Sequence, residues 1–367
     1  MLPAAPKDVG RLSDVLMSAL ASVGAPFQNR LRLPRAKHAV VILVDGLGFE
    51  NLKNATGYAR FLNQKLEHSI RCEFPSTTAT SLTGLATGTR SGQHGLIGYS
   101  VYDREVGAQR NLLTGWSSRA SAAEFKIQQT LSELSGDVKV NVIGPAVYES
   151  SGFTELTMKG ANYLAAEKIS DRFSVLEKAL AASETSVTYL YVPELDQAAH
   201  KFGVSSNQWL YLLEELDLIV NRFIAKLSGE IGVILTADHG VMDVSQSNHV
   251  YLDDFTWYES QVISTAGDPR CNFVYLEDPK QLATFIELAQ ENFGSSAYIC
   301  TTQQLVEAGW LVEGASNVVP DVYIIWRDAQ VGYDRRFSKP QHLNMVGQHG
   351  GISDIETRVP LIKLGKY

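Results

Sequence analysis

Cysteine is scarce in this 367-residue chain: Cys72, Cys271 and Cys300 are all there is. An odd number, widely spaced and with no Cys-x-x-Cys, excludes a disulfide framework and a thiolate zinc site. Positive charge is also in deficit. Lys and Arg total 32 against 40 Asp and Glu, for a formal net charge of −8. With no long basic run, such a chain is a poor partner for a nucleic-acid polymer. Long apolar runs are missing too. Nothing approaches the roughly 18 residues a membrane span requires, so none is expected. The N-terminus, MLPAAPKDVGRLSDVLMSAL, has no basic segment leading into an unbroken apolar one, so no signal peptide is expected and a cytoplasmic location is the default. There are no internal repeats and no low-complexity tract. What remains, 45% hydrophobic and 20% charged residues, is the composition of a globular protein large enough to bury a core.

The strongest pattern present is a buried-strand signal. His38–Val44, HAVVILV, is continuous and β-branched, as expected of a strand covered on both faces of a mostly parallel sheet. Two similar runs follow, Ser186–Val192 and Ile231–Thr236. Helical spacing is found over 11–23, 172–184 and 206–226, the last carrying Trp209, Leu213, Leu216 and Phe223. Strands alternating with helices predict an α/β fold with a parallel sheet. Residues 246–340 differ. Strands over 272–276, 297–301 and 321–326 with a helix over 279–292 predict a small α+β insertion. The rest, 1–245 and 341–367, would form the core.

Polar residues follow each of the three buried runs: Asp45, then Asp196 and His200, then Asp238 and His239. In parallel sheets the carboxyl ends of the strands form the binding edge, so these residues should converge. Asp196 and His200 are four apart and would share a helix face. A tight turn at Gly240 would let Asp238 and His239 both point inward. With His349 the set is three carboxylates and three imidazoles, which suits zinc or manganese. Singly, each residue has a duller role: a strand-end Asp is commonly a helix cap, and His349-Gly350 a turn. The same holds for His68, His94, His249 and His342. A further segment, Phe74-Pro-Ser-Thr-Thr-Ala-Thr-Ser-Leu82, crowds hydroxyls where a helix would begin. They could cap that helix, or place a nucleophile where free N–H groups favour a phosphate.

These segments together resemble the alkaline phosphatase superfamily, and most closely its nucleotide pyrophosphatase/phosphodiesterase branch. The matching pieces, in order, are Val41–Gly46, Phe74–Thr78 leading to Thr87-Gly88 and His94-Gly95, then Tyr191 with Asp196 and His200, then Asp238–Gly240, and finally Gly347–Gly350. The resemblance implies an alkaline-phosphatase-like sandwich: a mostly parallel central sheet flanked by helices, plus the small α+β cap. It implies two divalent ions, most readily zinc with manganese as the other candidate. One would be held by Asp196, His200 and His349, the other by Asp45, Asp238, His239 and the oxygen of Thr78. Thr78 would be the nucleophile and pass through a phospho-threonine intermediate. The substrate would be a small phosphate ester or nucleotide. A phosphomonoesterase with the same centre, or a metal-stabilised binding protein without catalysis, are the alternatives. A sulfatase is set aside, because Cys72-Glu-Phe-Pro-Ser does not fit its motif.

Two departures bear on substrate. The branch usually has Asn three residues after the nucleophile; Ser81 stands here, either as a weaker phosphoryl contact or as a plain helix-surface serine. The Lys before the nucleophile is Thr77. In the insertion, Gly267-Asp268-Pro269-Arg270 is either a polar turn or a loop bringing Arg270 to an anionic substrate. Tyr99, Trp116 and Tyr148 could stack on a ring or belong to the core. Oligomeric state is not encoded in these motifs.

Overall fold

The computed structural model describes residues 1–7, 9–116, 128–314 and 319–367. Its centre is the strand His38–Val44, with every residue buried. It lies between Ser186–Val192 and Ile231–Thr236, parallel to both, with Val41 opposite Tyr189 on one side and Ile234 on the other. The full sheet has seven strands. Residues 68–71 and 358–365 form one edge; then come 231–236, 38–44, 186–192, 139–144 and 162–165. The last five run parallel. At the other edge Arg358–Gly365 joins Ile231–Thr236 antiparallel, and His68–Arg71 joins it in turn. The sheet is therefore the predicted mostly parallel one.

Helices cover both faces. Asn207–Ala225 begins at Ser206, whose side chain accepts the Trp209 N–H at 3.2 Å. It buries Trp209, Leu213, Leu216, Val220 and Phe223, alternating steps of four and three along one stripe. Each such side chain contributes about 1.5–3 kcal/mol of burial. This helix packs on Ile169–Ala181, which itself covers the strands Lys139–Gly144 and Ser186–Val192. Ser13–Ser22 packs on His38–Val44 and on the helix Thr78–Thr87.

A second sheet, antiparallel, is built from Val262–Asp268, Cys271–Leu276, Val322–Trp326 and Ala297–Cys300. Its alternation separates two cores. Cys271, Phe273, Tyr275, Tyr323 and Ile325 belong to the main core of the molecule. Val274, Leu276, Val322, Ile324 and Trp326 face the other way, onto Phe285, Ala289 and Phe293 of the helix Leu282–Phe293. This second sheet is thus packed onto the main core by one entire face. A hairpin from the first half of the chain, Ser100–Asp103 with Ala108–Asn111, also packs against Val262–Asp268. No described helix is long and apolar enough to cross a membrane.

Candidate metal centre and active site

The three central strands end together, and the turns after them make the site. The Asp45 N–H donates to Val192 O at 2.9 Å, extending the ladder by one bond before the chain turns. Gly46 has φ 72°, and a Cβ there would sit 3.0 Å from Asp196 Oδ1. Left-handed backbone and close approach both favour glycine at this point. At Gly240 a Cβ would be 2.0 Å from Ile355 O, so the tight turn after His239 requires glycine as well. Asn51 fastens this turn, donating to Val241 O at 2.8 Å and accepting the Val241 N–H at 3.1 Å. Asp196 and His200 lie one turn apart on Glu194–Phe202, with 3.2 Å between Oδ2 and Nε2.

All six predicted Asp and His residues converge. Two trios have potential ligand atoms mutually within 4.8 Å: Asp45, Asp238 and His239, and Asp196, His239 and His349. His239 Nε2 is 3.4 Å from Asp45 Oδ1 and 3.6 Å from Asp238 Oδ2. His349 Nε2 is 3.3 Å from His200 Nε2 and 3.9 Å from Asp196 Oδ1. The rings of His239 and His349 stack with centroids 3.7 Å apart. His239 therefore sits between the two groups, while His200 flanks the second.

Whether the residues fit metal ions can be tested on two features. First, Asp45 Oδ1, Asp196 Oδ1 and Asp238 Oδ2 are buried without hydrogen-bond partners. A buried unpaired carboxylate oxygen is costly unless a cation meets it. Second, all three imidazoles turn Nδ1 to a backbone carbonyl: His200 to Gly347 at 2.8 Å, His239 to Gly240 at 3.3 Å and His349 to Ser76 at 2.9 Å. A donated Nδ1–H leaves Nε2 as the free lone pair, the tautomer a metal needs. The donor set is oxygen and nitrogen without sulfur, as predicted for zinc or manganese.

The electrostatics agree. Burial, then the charges of Asp238 and Asp196, push Asp45 far above the usual carboxylate range. Burial and the Asp196 charge raise Asp238 to about 6. Asp196 is held low despite burial, because His200 faces it, and His200 is raised to about 9 against its own desolvation. Desolvation lowers His239 to about 4 and His349 to about 3, so both are neutral at pH 7. Crowded carboxylates that resist ionisation mark a centre built for added positive charge.

Thr78 opens the helix Thr78–Thr87, and its Oγ1 is 3.2 Å from His239 Nε2. Thr77 takes the N-cap position in extended backbone but caps nothing with its side chain. The first N–H groups of the helix are thereby left to the site.

The two substrate-contact candidates fare differently from the Asp and His residues. Ser81 is fully buried in the helix, with no hydrogen-bond partner for its Oγ, so it is neither a surface serine nor a group lining the cavities described below. Arg270 lines neither cavity. It is fully buried, gives two 3.0 Å bonds to Glu356 Oε1 and Oε2, and donates to the carbonyls of Arg327, Asp328 and Gln330. The turn of the hairpin aims Asp268, not Arg270, at the site. Asp268 lines the cavity beside His200 and His349, accepts the Tyr99 N–H at 3.3 Å, and is raised to about 7, chiefly by burial. Tyr191, which the sequence offers only as part of a motif, donates its hydroxyl to Asp45 Oδ2 in a short bond. Ser76 accepts the Gly350 N–H at 3.1 Å and donates to Gly351 O at 2.8 Å, tying the turn before Thr78 to the His349 loop. His94 stands apart, buried and low at about 3.

Fold and site together define an α/β protein with a paired Asp/His centre beside a hydroxyl at a helix N-terminus. The chain belongs to the type I phosphodiesterase / nucleotide pyrophosphatase family, whose profile matches residues 39–351. Among curated proteins it is similar to venom phosphodiesterase of Naja atra, 24% identical over 208 residues covering 51% of this chain and 23% of the relative. It is also similar to an uncharacterised pyrophosphatase/phosphodiesterase of Schizosaccharomyces pombe, 21% identical over 63% of this chain and 50% of the relative. The chain thus spans half or less of the length of these relatives. Among solved structures it resembles murine ectonucleotide pyrophosphatase/phosphodiesterase 5 in an inactive threonine-to-alanine form with AMP. The TM-score is 0.67 at 13% identity, covering 89% of this chain and 88% of that one. The human counterpart gives 0.65 at 14% identity, covering 88% and 87%. At such identities the likeness speaks for the fold.

Proposed function

We propose that the protein is a two-metal phosphodiesterase in which Thr78 is the nucleophile. The observation that carries this reading is the set of unpartnered buried oxygens on Asp45, Asp196 and Asp238, gathered with Thr78 and three imidazoles that turn Nδ1 to backbone carbonyls and Nε2 inward. Asp45, Asp238 and His239, with Thr78, would hold one ion; Asp196, His200 and His349 would hold the other. Zinc is the ion this donor set favours, with manganese next. Divalent ions bound there would supply charge stabilisation at the phosphoryl oxygens and acidify a hydroxyl held beside them.

The residues of the chain define the rest. The helix N-terminus starting at Thr78 offers its N–H groups to a phosphoryl oxygen. Thr78 Oγ1 attacks phosphorus and the bond to the leaving alcohol breaks, giving a phospho-threonine ester. Water then cleaves that ester, releasing a phosphate monoester and restoring Thr78. His239, kept neutral by burial and fixed through Nδ1, turns Nε2 toward Thr78 Oγ1, so an ion held by that nitrogen would also meet the Thr78 oxygen. The relatives named phosphodiesterase and the neighbour bound to AMP support a nucleotide or a similar diester as substrate.

The test is a rate comparison on zinc-loaded protein: a nitrophenyl nucleotide diester beside nitrophenyl phosphate, with Thr78→Ala as control. The diester should be faster by about 100-fold or more, and Thr78→Ala should lose roughly a thousand-fold or more. A faster monoester would move the assignment to phosphomonoesterase. Activity that survives Thr78→Ala would remove the nucleophile assignment.

A further inference from the structure

Two cavities meet over the centre, sharing Leu113, Asp196 and Gln197. The first, about 540 Å³, opens from Asp45 and Thr78 and is walled by Trp116, Tyr148, Phe153 and Tyr163. Among the described residues no Lys, Arg or His lines it. The second, about 660 Å³, opens from Asp196, His200 and His349, and includes Tyr99, Asp268 and His342. Lys339, an exposed residue, is the one Lys or Arg among its described lining residues. Nearby arginines are engaged elsewhere. Arg270 is closed onto Glu356, and Arg336 pairs with Asp334 at 2.7 Å.

Charge balance then restricts the substrate. Two divalent ions against the carboxylates of Asp45, Asp196 and Asp238 leave one net positive charge, which a single phosphodiester anion cancels. A polyphosphate leaving group brings several more negative charges into a partly desolvated space. There it meets Asp268 and one solvent-screened lysine. Sites that hold polyphosphate groups supply arginine forks, lysines or further metal for them.

We infer that the enzyme takes singly charged phosphodiesters, with a ring-bearing or apolar group in the Trp116–Tyr148 cavity and an uncharged or cationic polar alcohol in the Asp268 cavity, and selects against nucleoside polyphosphates. This rests on the phosphodiesterase reading above and narrows it. Asp268 is the specificity-determining residue of the second cavity.

Two measurements on the zinc-loaded full chain test it, with metal content checked after each. In the first, kcat/KM for bis(4-nitrophenyl) phosphate is set against that for magnesium–ATP cleaved between its α and β phosphates. The diester should lead by about 100-fold or more. Ser338→Lys, which adds a cation to the wall of the second cavity, and Asp268→Asn should each raise the ATP-to-diester ratio about tenfold. In the second, calorimetry on Thr78→Ala measures binding of the two compounds without turnover, and the diester should bind more tightly. ATP turned over or bound as well as the diester overturns the inference and leaves the diesterase reading standing. If neither compound is hydrolysed, the diesterase reading fails, and the binding preference still decides the inference. An ATP-to-diester ratio unmoved by both variants removes the role of Asp268 and of cavity charge.

Discussion

Two groups of buried charge lie within this molecule, and they are finished differently. Arg270 and Glu356 join the second sheet to the end of the chain. Both are fully buried, and their fork-to-fork contact is complete. The remaining Arg270 donors go to backbone carbonyls, and Glu356 also accepts the Gly351 N–H at 2.8 Å and the Ser353 hydroxyl at 2.6 Å. Asp45 and Asp238 are equally hidden and Asp196 nearly so, yet each keeps a buried oxygen with no partner, and the charge of Asp196 raises the proton affinity of the other two. A closed pair holds structure together; an open one is a receptor for charge that comes from outside. The difference separates a structural ion pair from a site more sharply than burial does, since both groups hold buried carboxylates.

The largest expected effect comes from opening the closed pair. Arg270→Met leaves Glu356 buried without its partner and should cost about 3–5 kcal/mol of unfolding free energy. Replacing both at once, Arg270→Met with Glu356→Leu, should recover a large part of that. Urea unfolding of the two variants checks it; equal losses would mean that Arg270 acts through its carbonyl contacts alone. Next comes closing the open group. Zinc at about 100 times its dissociation constant should stabilise the protein by about 2.7 kcal/mol. Asp238→Asn should abolish that gain while leaving the metal-free protein no less stable than the parent, because it removes repulsion among carboxylates. Thermal melts with and without zinc test this, and a metal-free Asp238→Asn that melts well below the parent contradicts it.

The open group also shows what a sequence can carry. Each of its Asp and His residues lies within a few residues of the end of a buried strand run or at a glycine turn, so the convergence of Asp45, Asp196, His200, Asp238, His239 and His349 was legible. Local rules sufficed because a parallel sheet brings its carboxyl ends together. The closed pair was not legible. Arg270 and Glu356 are 86 positions apart, and a hairpin turn alone does not say whether Asp268 or Arg270 faces the cavity. The same limit hid the Tyr191 contact with Asp45, which crosses between neighbouring strands. It also hid the edge strands His68–Arg71 and Arg358–Gly365, whose pairing is long-range. The motif alone leaves Ser81 open as a phosphate contact or a helix-surface serine; it is fully buried within the helix Thr78–Thr87 and lines neither cavity.

A smaller effect tests the support of the open group. Tyr191 gives its hydroxyl to one oxygen of Asp45 and leaves the other free for a ligand. Tyr191→Phe keeps the ring in its stack with Tyr189, centroids 6.3 Å apart, and deletes that bond. Zinc affinity should fall by about 10- to 100-fold, as for other groups that orient a metal ligand. Calorimetry with zinc measures it, and an unchanged affinity would make Tyr191 a packing residue only.

The smallest effect distinguishes the two groups by proton. Glu356 is held below the ordinary range: burial pushes it up, but the charge and hydrogen bonds of Arg270, Ser353 and Gly351 prevail. A carboxyl lowered in the folded state binds its proton more readily when unfolded. The stability it contributes is therefore complete above the unfolded value, about 4.3, and is lost as pH falls through the lower folded value. Comparing the parent with Glu356→Gln isolates this from every other titrating group. The melting-temperature gap between them should be widest at pH 6–7 and shrink steadily below about pH 4. Melts of both proteins at pH 7 and pH 3.5 decide it: a gap that stays constant would mean that Glu356 holds its loops by hydrogen bonding to Gly351 and Ser353, with its charge contributing nothing.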